Sequence, residues 1–121
     1  MDPRVEQAIA VLDHQLHTRI AVATLAADVN LSVSRLTRLF RQDTGMTPAA
    51  YLHRLRMIRA RILIERTSLS VSEVMAQVGI TDPSHFARDF RRLHGFSPRT
   101  LRQHLRLGGL AGRDLAADRR R

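Results

Sequence analysis

Apolar residues recur along the chain at the three- and four-residue spacing of amphipathic helices, in blocks separated by turn-forming residues. The clearest block opens the stretch 71–95, VSEVMAQVGITDPSHFARDFRRLHG, and consists of Val71, Val74, Met75 and Val78. Ser70 and Glu73 have the spacing of a capping box, which predicts where this helix begins. Gly79 predicts where it ends, because glycine adopts the left-handed conformation of a helix C-terminus at little cost. A helix of about two turns is therefore expected here.

The rest of this stretch predicts a longer amphipathic helix. Ile80 is expected to fill the turn, and Asp82 followed by Pro83 supplies an N-cap and a first helical residue. The helix should run from Pro83 to His94, with Gly95 as its stop. Its inner side carries Phe86, Phe90 and Leu93, and its outer side carries Ser84, His85, Arg88 and Arg91. A helix, a glycine turn and an amphipathic helix with a basic outer face are typical of a helix-turn-helix unit.

Residues 20–45, IAVATLAADVNLSVSRLTRLFRQDTG, follow the same plan. A short helix is predicted by the apolar positions Val22, Leu25, Ala26 and Val29. Asn30 takes the turn position, Leu31 fills the turn, and Ser32 caps the next helix, which ends at Gly45. The inner side of that helix carries Leu36, Leu39 and Phe40, and its outer side carries Ser34, Arg35, Thr37, Arg38 and Arg41. A second helix-turn-helix unit is therefore predicted upstream of the first.

The two stretches form an internal repeat. Ala27, Val29 and Leu31 correspond to Ala76, Val78 and Ile80 at an offset of 49 residues. After one additional residue in the second turn the offset becomes 50, and Arg38, Phe40, Arg41, Gly45, Pro48, Leu55 and Arg56 are identical to Arg88, Phe90, Arg91, Gly95, Pro98, Leu105 and Arg106. Seven identities at one offset are hard to assign to chance, so the chain is predicted to contain two copies of one unit.

Three more helical patterns complete the prediction. The first begins at Pro3, continues to about His17 and has the apolar positions Val5, Ala8, Ile9, Leu12 and Leu16. The second begins at Pro48, closes near Arg66 and has the apolar positions Tyr51, Leu52, Leu55, Ile58, Ile62 and Leu63. The third lies within 97–107 and has Leu101 and Leu105. Each pattern has the period of a helix with one packed side.

The predicted fold is all-α, with about seven helices in two helix-turn-helix subdomains joined by a long central helix. The first subdomain spans 4–47, the linking helix 48–66 and the second subdomain 67–107, while 108–121 is too poor in apolar residues to pack and is expected to be a disordered tail. A linking helix of about 18 residues would be about 27 Å long. This length suits two recognition helices that must lie about 34 Å apart to enter successive turns of one duplex.

The charge of the chain indicates a polyanionic partner. It has 20 basic and 11 acidic residues among 121, and a formal net charge of +9. A cationic surface of this strength favours nucleic acid. Every basic residue is arginine, which suits bidentate contacts to guanine edges and phosphates. A GC-rich genome that favours arginine codons is the alternative explanation of the arginine bias.

Several classes of function are disfavoured by composition. The chain has no cysteine, which excludes disulfides, thiolate metal sites and a cysteine nucleophile. Its six histidines lack HExxH spacing, so no metal is expected. No phosphate loop, serine elbow or carboxylate pair stands out, so neither an enzyme nor a cofactor is predicted.

The sequence also indicates where the protein acts. No apolar run approaches about 18 residues, and no signal-type region opens the chain. We therefore expect a cytoplasmic, nucleoid-associated protein that does not contact a membrane.

At this point the chain resembles the AraC/XylS family of bacterial transcription regulators. The resemblance lies in LAADVNLSVSRLTRLFRQDTGMTPAAYL in the first half and SVSEVMAQVGITDPSHFARDFRRLHGFSP in the second, and it extends from about Val5 to Arg106. It implies two helix-turn-helix units joined by a long helix, binding to double-stranded DNA, and control of transcription. Family members usually carry a further ligand-binding or dimerisation domain, so this chain is either a stand-alone short member or an excised C-terminal domain.

The resemblance also implies which residues approach DNA. Those near bases are Ser34, Arg35, Thr37 and Arg38 in the first recognition helix and Pro83, Ser84, His85 and Arg88 in the second. Arg41, Arg91 and the starts of both copies would lie nearer phosphates. Because Pro83 offers neither a polar side chain nor a backbone N–H, the second helix is expected to contact fewer bases.

Two alternatives remain open from the sequence. The chain could be a basic helical adaptor that binds a protein or an anionic membrane surface through the long central helix. Against this, arginines cluster on the two recognition helices and are scattered on the central one. Asp43 and Asp89 are expected to be surface charges, with contact to RNA polymerase as the alternative. Because two different recognition helices lie in one chain, binding as a monomer is expected.

Overall fold

The computed structural model describes residues 1–108, and this part of the chain is all-α, with no strand. Its helices are α1 (Pro3–His14), α2 (Val22–Asp28), α3 (Val33–Thr44), α4 (Pro48–Arg66), α5 (Val71–Gln77), α6 (Pro83–His94) and α7 (Pro98–Arg106). The predicted fold class is confirmed. The predicted disordered tail lies outside the described residues except for Gly108.

Side-chain caps fix where the helices begin. Ser70 and Glu73 form the predicted capping box at the start of α5: the Glu73 N–H donates to Ser70 Oγ at 3.1 Å and the Ser70 N–H donates to Glu73 Oε1 at 2.9 Å. Ser32 caps α3 and Asp82 caps α6, as predicted. These bonds satisfy N–H groups of the first turn that have no partner within the helix.

The turn inside each repeat is built in the same way. After α2, the Leu31 N–H donates to the Ala26 carbonyl at 2.9 Å; after α5, the Ile80 N–H donates to the Met75 carbonyl at 2.9 Å. This six-to-one bond is the mark of a Schellman motif, which needs a left-handed residue just before the donor. Asn30 supplies it in the first copy with φ 59° and Gly79 in the second with φ 75°. Both predicted turn residues are confirmed.

The described part of the chain divides into two compact units, one from Met1 to Arg56 and one that begins at Met57. The core of unit 1 is formed by α1, α2, α3 and the first part of α4. Its buried residues are Val5, Ala8, Leu12, Leu16, Leu25, Ala26, Val29, Leu36, Phe40 and Leu52. The ring of Phe40 packs edge-on against Tyr51 with centroids 5.2 Å apart. Leu36 and Phe40 are fully buried on one side of α3, which fixes the opposite side toward solvent.

The core of unit 2 uses the second part of α4 with α5, α6 and α7. Its buried residues are Met57, Ala60, Ile64, Val74, Met75, Val78, Phe86, Phe90, Phe96 and Leu101. The Phe90 ring lies 5.7 Å from that of Phe86 and 6.3 Å from that of Phe96. Phe86 and Phe90 therefore hold one side of α6 in the core, as predicted, and expose the other.

Three predicted core positions are wrong. Leu93 is 37% exposed, because Phe96 folds back after Gly95 and packs on Phe90 at that end of the core. Ile58 and Ile62 are 42% and 37% exposed. Apolar residues lie on several sides of the second part of α4, so the helical period alone does not select the face that packs.

His94 closes α6 against α4 within unit 2. Its Nε2 lies 3.1 Å from the Met57 carbonyl and its Nδ1 lies 3.3 Å from Arg61 Nη1. The neutral ring with its proton on Nε2 satisfies both contacts, donating to Met57 and accepting from Arg61. Burial holds the pKa of His94 below its usual value of 6.5, and the Arg61 guanidinium adds to this effect.

We expect unit 2 to lose stability as pH falls below about 6.5. The unfolded chain then binds a proton at His94 that the folded chain excludes, so the contribution of His94 is complete above the unfolded pKa and is lost as pH falls toward the folded one. Denaturation followed between pH 7.5 and 5 measures this dependence. His94→Asn should flatten it, whereas the same change at the exposed His17 should not. An unchanged pH dependence in His94→Asn would contradict the assignment.

Candidate nucleic-acid interface

The solvent-facing side of α3 carries the first group of predicted site residues. Ser34, Arg35, Arg38 and Arg41 are exposed and Thr37 is half-buried. A shallow groove along this side is lined by Val33, Ser34, Thr37, Arg38, Arg41 and Gln42. Arg38 lies at its centre, since Ser34 and Gln42 are each four residues away. Gln42 was missed by the sequence analysis, although its spacing from Arg38 would have indicated it.

Arg35 has an acidic neighbour inside unit 1. The Ser32 hydroxyl accepts the Arg35 N–H at 3.2 Å, which places Arg35 in the first turn of α3. Hydrogen bonds from Arg4 hold the pKa of the Asp2 carboxyl below its usual range, and the positive charge of Arg35 contributes in the same direction. Arg35 thus lies within the electrostatic reach of the Asp2 carboxylate, whereas Arg38 lies at the open centre of the groove.

The second group of predicted site residues lies on the solvent-facing side of α6. Pro83, Ser84, His85, Arg88 and Arg91 are all exposed. The structure thus presents each predicted group on one helix face. Arg88 Nε is 3.8 Å from Asp89 Oδ1, but the Arg88 side chain remains 60% exposed. A contact this long and solvated leaves the guanidinium able to bind an external anion.

The cap of α6 restrains His85. Asp82 Oδ1 accepts the N–H groups of Ser84 and His85 at 3.0 and 3.2 Å, and Asp82 Oδ2 lies 3.1 Å from His85 Nδ1. The backbone bond from His85 is the main cause that lowers the pKa of the Asp82 carboxyl, so this cap is ionised at neutral pH. Because Nδ1 faces the carboxylate, Nε2 is the ring nitrogen of His85 left for an external partner.

The two faces differ at matched positions of the repeat. At an offset of 50, Ser34 matches Ser84, Arg38 matches Arg88, and Arg41 matches Arg91. The differences are Val33 against Pro83, Arg35 against His85, Thr37 against Ala87, and Gln42 against Arg92. Each face therefore has three guanidinium groups, and that of α3 has one more hydroxyl. The two helix faces are therefore both positively charged, but they present different hydrogen-bonding groups.

Other kinds of site were sought in the part of the chain that the structure describes. Residues 1–108 hold no group of three or more histidine and acidic side chains that could bind a metal ion. None of the helices in this range combines the length and apolar character needed to cross a membrane.

Comparison with known proteins identifies the family. The sequence model described as "Helix-turn-helix domain" matches residues 25–104. The transcriptional activator RhaS of Enterobacter sp. (strain 638) is 39% identical over 102 residues, which cover 84% of this chain and 37% of RhaS. The chain thus spans little more than a third of the length of such relatives.

Solved structures agree with the sequence match. An AraC-type DNA-binding domain protein from Chromobacterium violaceum has a TM-score of 0.79 at 28% identity, covering 84% of this chain and 91% of that one. The DNA-binding domain of AdpA, solved in complex with a target DNA, has a TM-score of 0.79 at 34% identity, covering 88% and 96%. Together with the all-α fold and the repeated turn, these matches show that the chain belongs to the AraC/XylS family and represents its double helix-turn-helix DNA-binding domain.

Proposed function

We propose that this chain binds double-stranded DNA sequence-specifically and regulates transcription by inserting α3 and α6 into successive major-groove segments of one duplex. The observation that carries the proposal is the duplicated basic face: Arg38 and Arg41 on α3 match Arg88 and Arg91 on α6, and all four are exposed. A major groove admits one α-helix, whose outer side chains contact base edges.

Two further points support this function over the adaptor. The AdpA domain was solved with a target DNA, and RhaS is named a transcriptional activator. Members of the AraC/XylS family are transcription regulators and in general are not enzymes. A net charge of +9 also supplies the phosphate attraction on which both specific and non-specific binding depend.

Within this proposal the predicted residues have separate roles. Side chains near the centre and start of each helix contact bases: Ser34, Arg35, Thr37 and Arg38 on α3, and Ser84, His85 and Arg88 on α6. Arg41 and Arg91 lie one turn further on and contact phosphates. Pro83 packs against the DNA surface without a hydrogen bond. Phosphate contacts set affinity and register, and base contacts set the choice of sequence.

Binding should depend strongly on salt. If about six phosphates are neutralised, log K should fall against log salt with a slope near −5, because each contact releases a condensed counterion. A fluorescence titration of the preferred duplex at several salt concentrations measures the slope, after the site has been selected from a random library. A flat titration, or equal affinity for heparin and the selected duplex, would refute duplex binding as the function.

We also propose that one chain binds one asymmetric site. The faces of α3 and α6 differ at four matched positions, so a palindromic site would present one helix with the wrong bases. Light scattering of the complex should give one chain per duplex, and an obligate dimer on a palindrome would contradict this. Nucleoid association follows from the same DNA binding, and contact of Asp43 or Asp89 with RNA polymerase remains a separate proposal.

A further inference from the structure

A cationic cleft lies in unit 2 between the loop that leads into α5 and one side of α7. Its lining includes Ser68, Ser70 and Glu73 from the loop and α5, and Arg99, Arg102 and Arg106 from α7. The three arginines follow one another at three and four residues along α7, so they lie on one side of that helix. The cleft has a volume of about 620 Å³, which is ample for a phosphate group.

Arg102 lines this cleft, and two of its guanidinium nitrogens lack hydrogen-bond acceptors. Its side chain is half-buried, and its Nε and Nη2 are shielded from solvent with no hydrogen-bond partner in the described chain. A buried donor that makes no hydrogen bond costs free energy, the more so when it carries charge. A rotation of this side chain toward the cleft would expose both donors to an anion, and a guanidinium fork is suited to two oxygens of a phosphate.

The equivalent cleft of unit 1 has a different character. Ala49 and Leu52 occupy the positions of Arg99 and Arg102, and the lining there includes Leu12, Ile20 and Leu25. Arg56 matches Arg106 in the repeat, but it is used internally: its Nε donates to the Leu16 carbonyl at 2.9 Å and its Nη2 to the Thr18 carbonyl at 2.8 Å. Arg106 is exposed and lines the cleft. The cleft of unit 2 is thus cationic, whereas the lining of the equivalent cleft of unit 1 is mostly apolar.

We infer that this cleft binds a backbone phosphate of the duplex whose major groove receives α6, in addition to the contacts made by α6 itself. The inference rests on the proposed function. α5 and α7 both pack against α6, and in a helix-turn-helix the first helix crosses the DNA backbone beside the recognition helix. The Glu73 carboxylate at the cleft accepts the Ser70 N–H. Three guanidinium groups outweigh this one negative charge.

The test compares arginine variants on the selected duplex. Arg99→Gln, Arg102→Gln and the double variant should each reduce the magnitude of the salt slope, the double variant by about one unit, with base preference unchanged, because one phosphate contact is lost. Arg54→Gln, an exposed arginine on α4, is the matched control and should keep the wild-type slope. Arg99 is exposed, so its variant reports on binding even if replacement of half-buried Arg102 impairs folding.

Truncated duplexes give a second measurement. Removing phosphates stepwise from the end next to the α6 site should weaken wild-type binding at one step, and the double variant should be insensitive to that step. Variants with wild-type slopes would overturn the inference while leaving the proposed function intact. Absence of salt-dependent duplex binding in the wild-type chain would overturn both. Unchanged DNA binding with lost binding of a polyglutamate peptide would overturn it in favour of an acidic protein partner.

Discussion

Replacing Phe90 by alanine is expected to destabilise unit 2 by about 3 to 5 kcal/mol, the usual cost of removing a buried phenyl ring. Phe90 is fully buried, and its ring lies 4.4 Å from that of His94 as well as in edge contact with Phe86 and Phe96. Removing the ring would leave a cavity at the point where α6 is held in its core. Packing in the core would then no longer fix the orientation of the exposed face of α6.

Hydrogen exchange measured residue by residue distinguishes where the chain opens. Within residues 1–108 the two cores share no residue, so protection should fall in α5, α6 and α7 and persist in α1, α2 and α3. Phe40→Ala, the matched change in unit 1, should give the reverse pattern. Leu93→Ala removes a partly exposed side chain from the same helix as Phe90 and should cost far less. Equal effects of Leu93→Ala and Phe90→Ala would contradict this account of the core.

Local chemistry explains why much of the fold could be predicted from sequence. The capping box of Ser70 and Glu73, the Asp82 cap and the left-handed residues at positions 30, 45, 79 and 95 act within a few residues of the chain. Each satisfies a backbone group that the helix end leaves unpaired. The internal repeat strengthens the prediction of the helices and turns, because each copy supports the assignment of the other.

Packing and long-range contacts explain what could not be predicted. The exposure of Ile58 and Ile62 depends on which side of α4 meets Phe86 and Phe90 in the core, and the helical period does not encode that choice. Likewise, Arg99 and Arg102 resemble ordinary surface charges in the sequence. Their significance appears only when α7 is seen beside the start of α5 and the matched positions of unit 1 prove to be Ala49 and Leu52.

Replacing Arg38 by alanine is expected to weaken binding to the preferred duplex by about 1 to 3 kcal/mol, roughly 5- to 150-fold, and to relax the choice of one base pair. Arg38 is exposed at the centre of the α3 groove, where a guanidinium can make a bidentate contact to guanine. On α6, by contrast, the Nδ1 of His85 faces Asp82 and position 87 is alanine. If unit 2 also binds a phosphate through Arg102, then unit 1 should determine the preferred DNA sequence and unit 2 should contribute most to the affinity for DNA.

Competitive binding of each variant to the preferred duplex and to its single-base variants, at fixed salt, tests this division. Arg38→Ala should change the ranking of the duplexes. Arg91→Ala should weaken all of them alike and lower the salt slope by about one unit, as loss of a phosphate contact requires. The division is wrong if Arg38→Ala weakens every duplex equally while Arg88→Ala or His85→Ala changes base preference, because α6 would then be the main determinant of sequence.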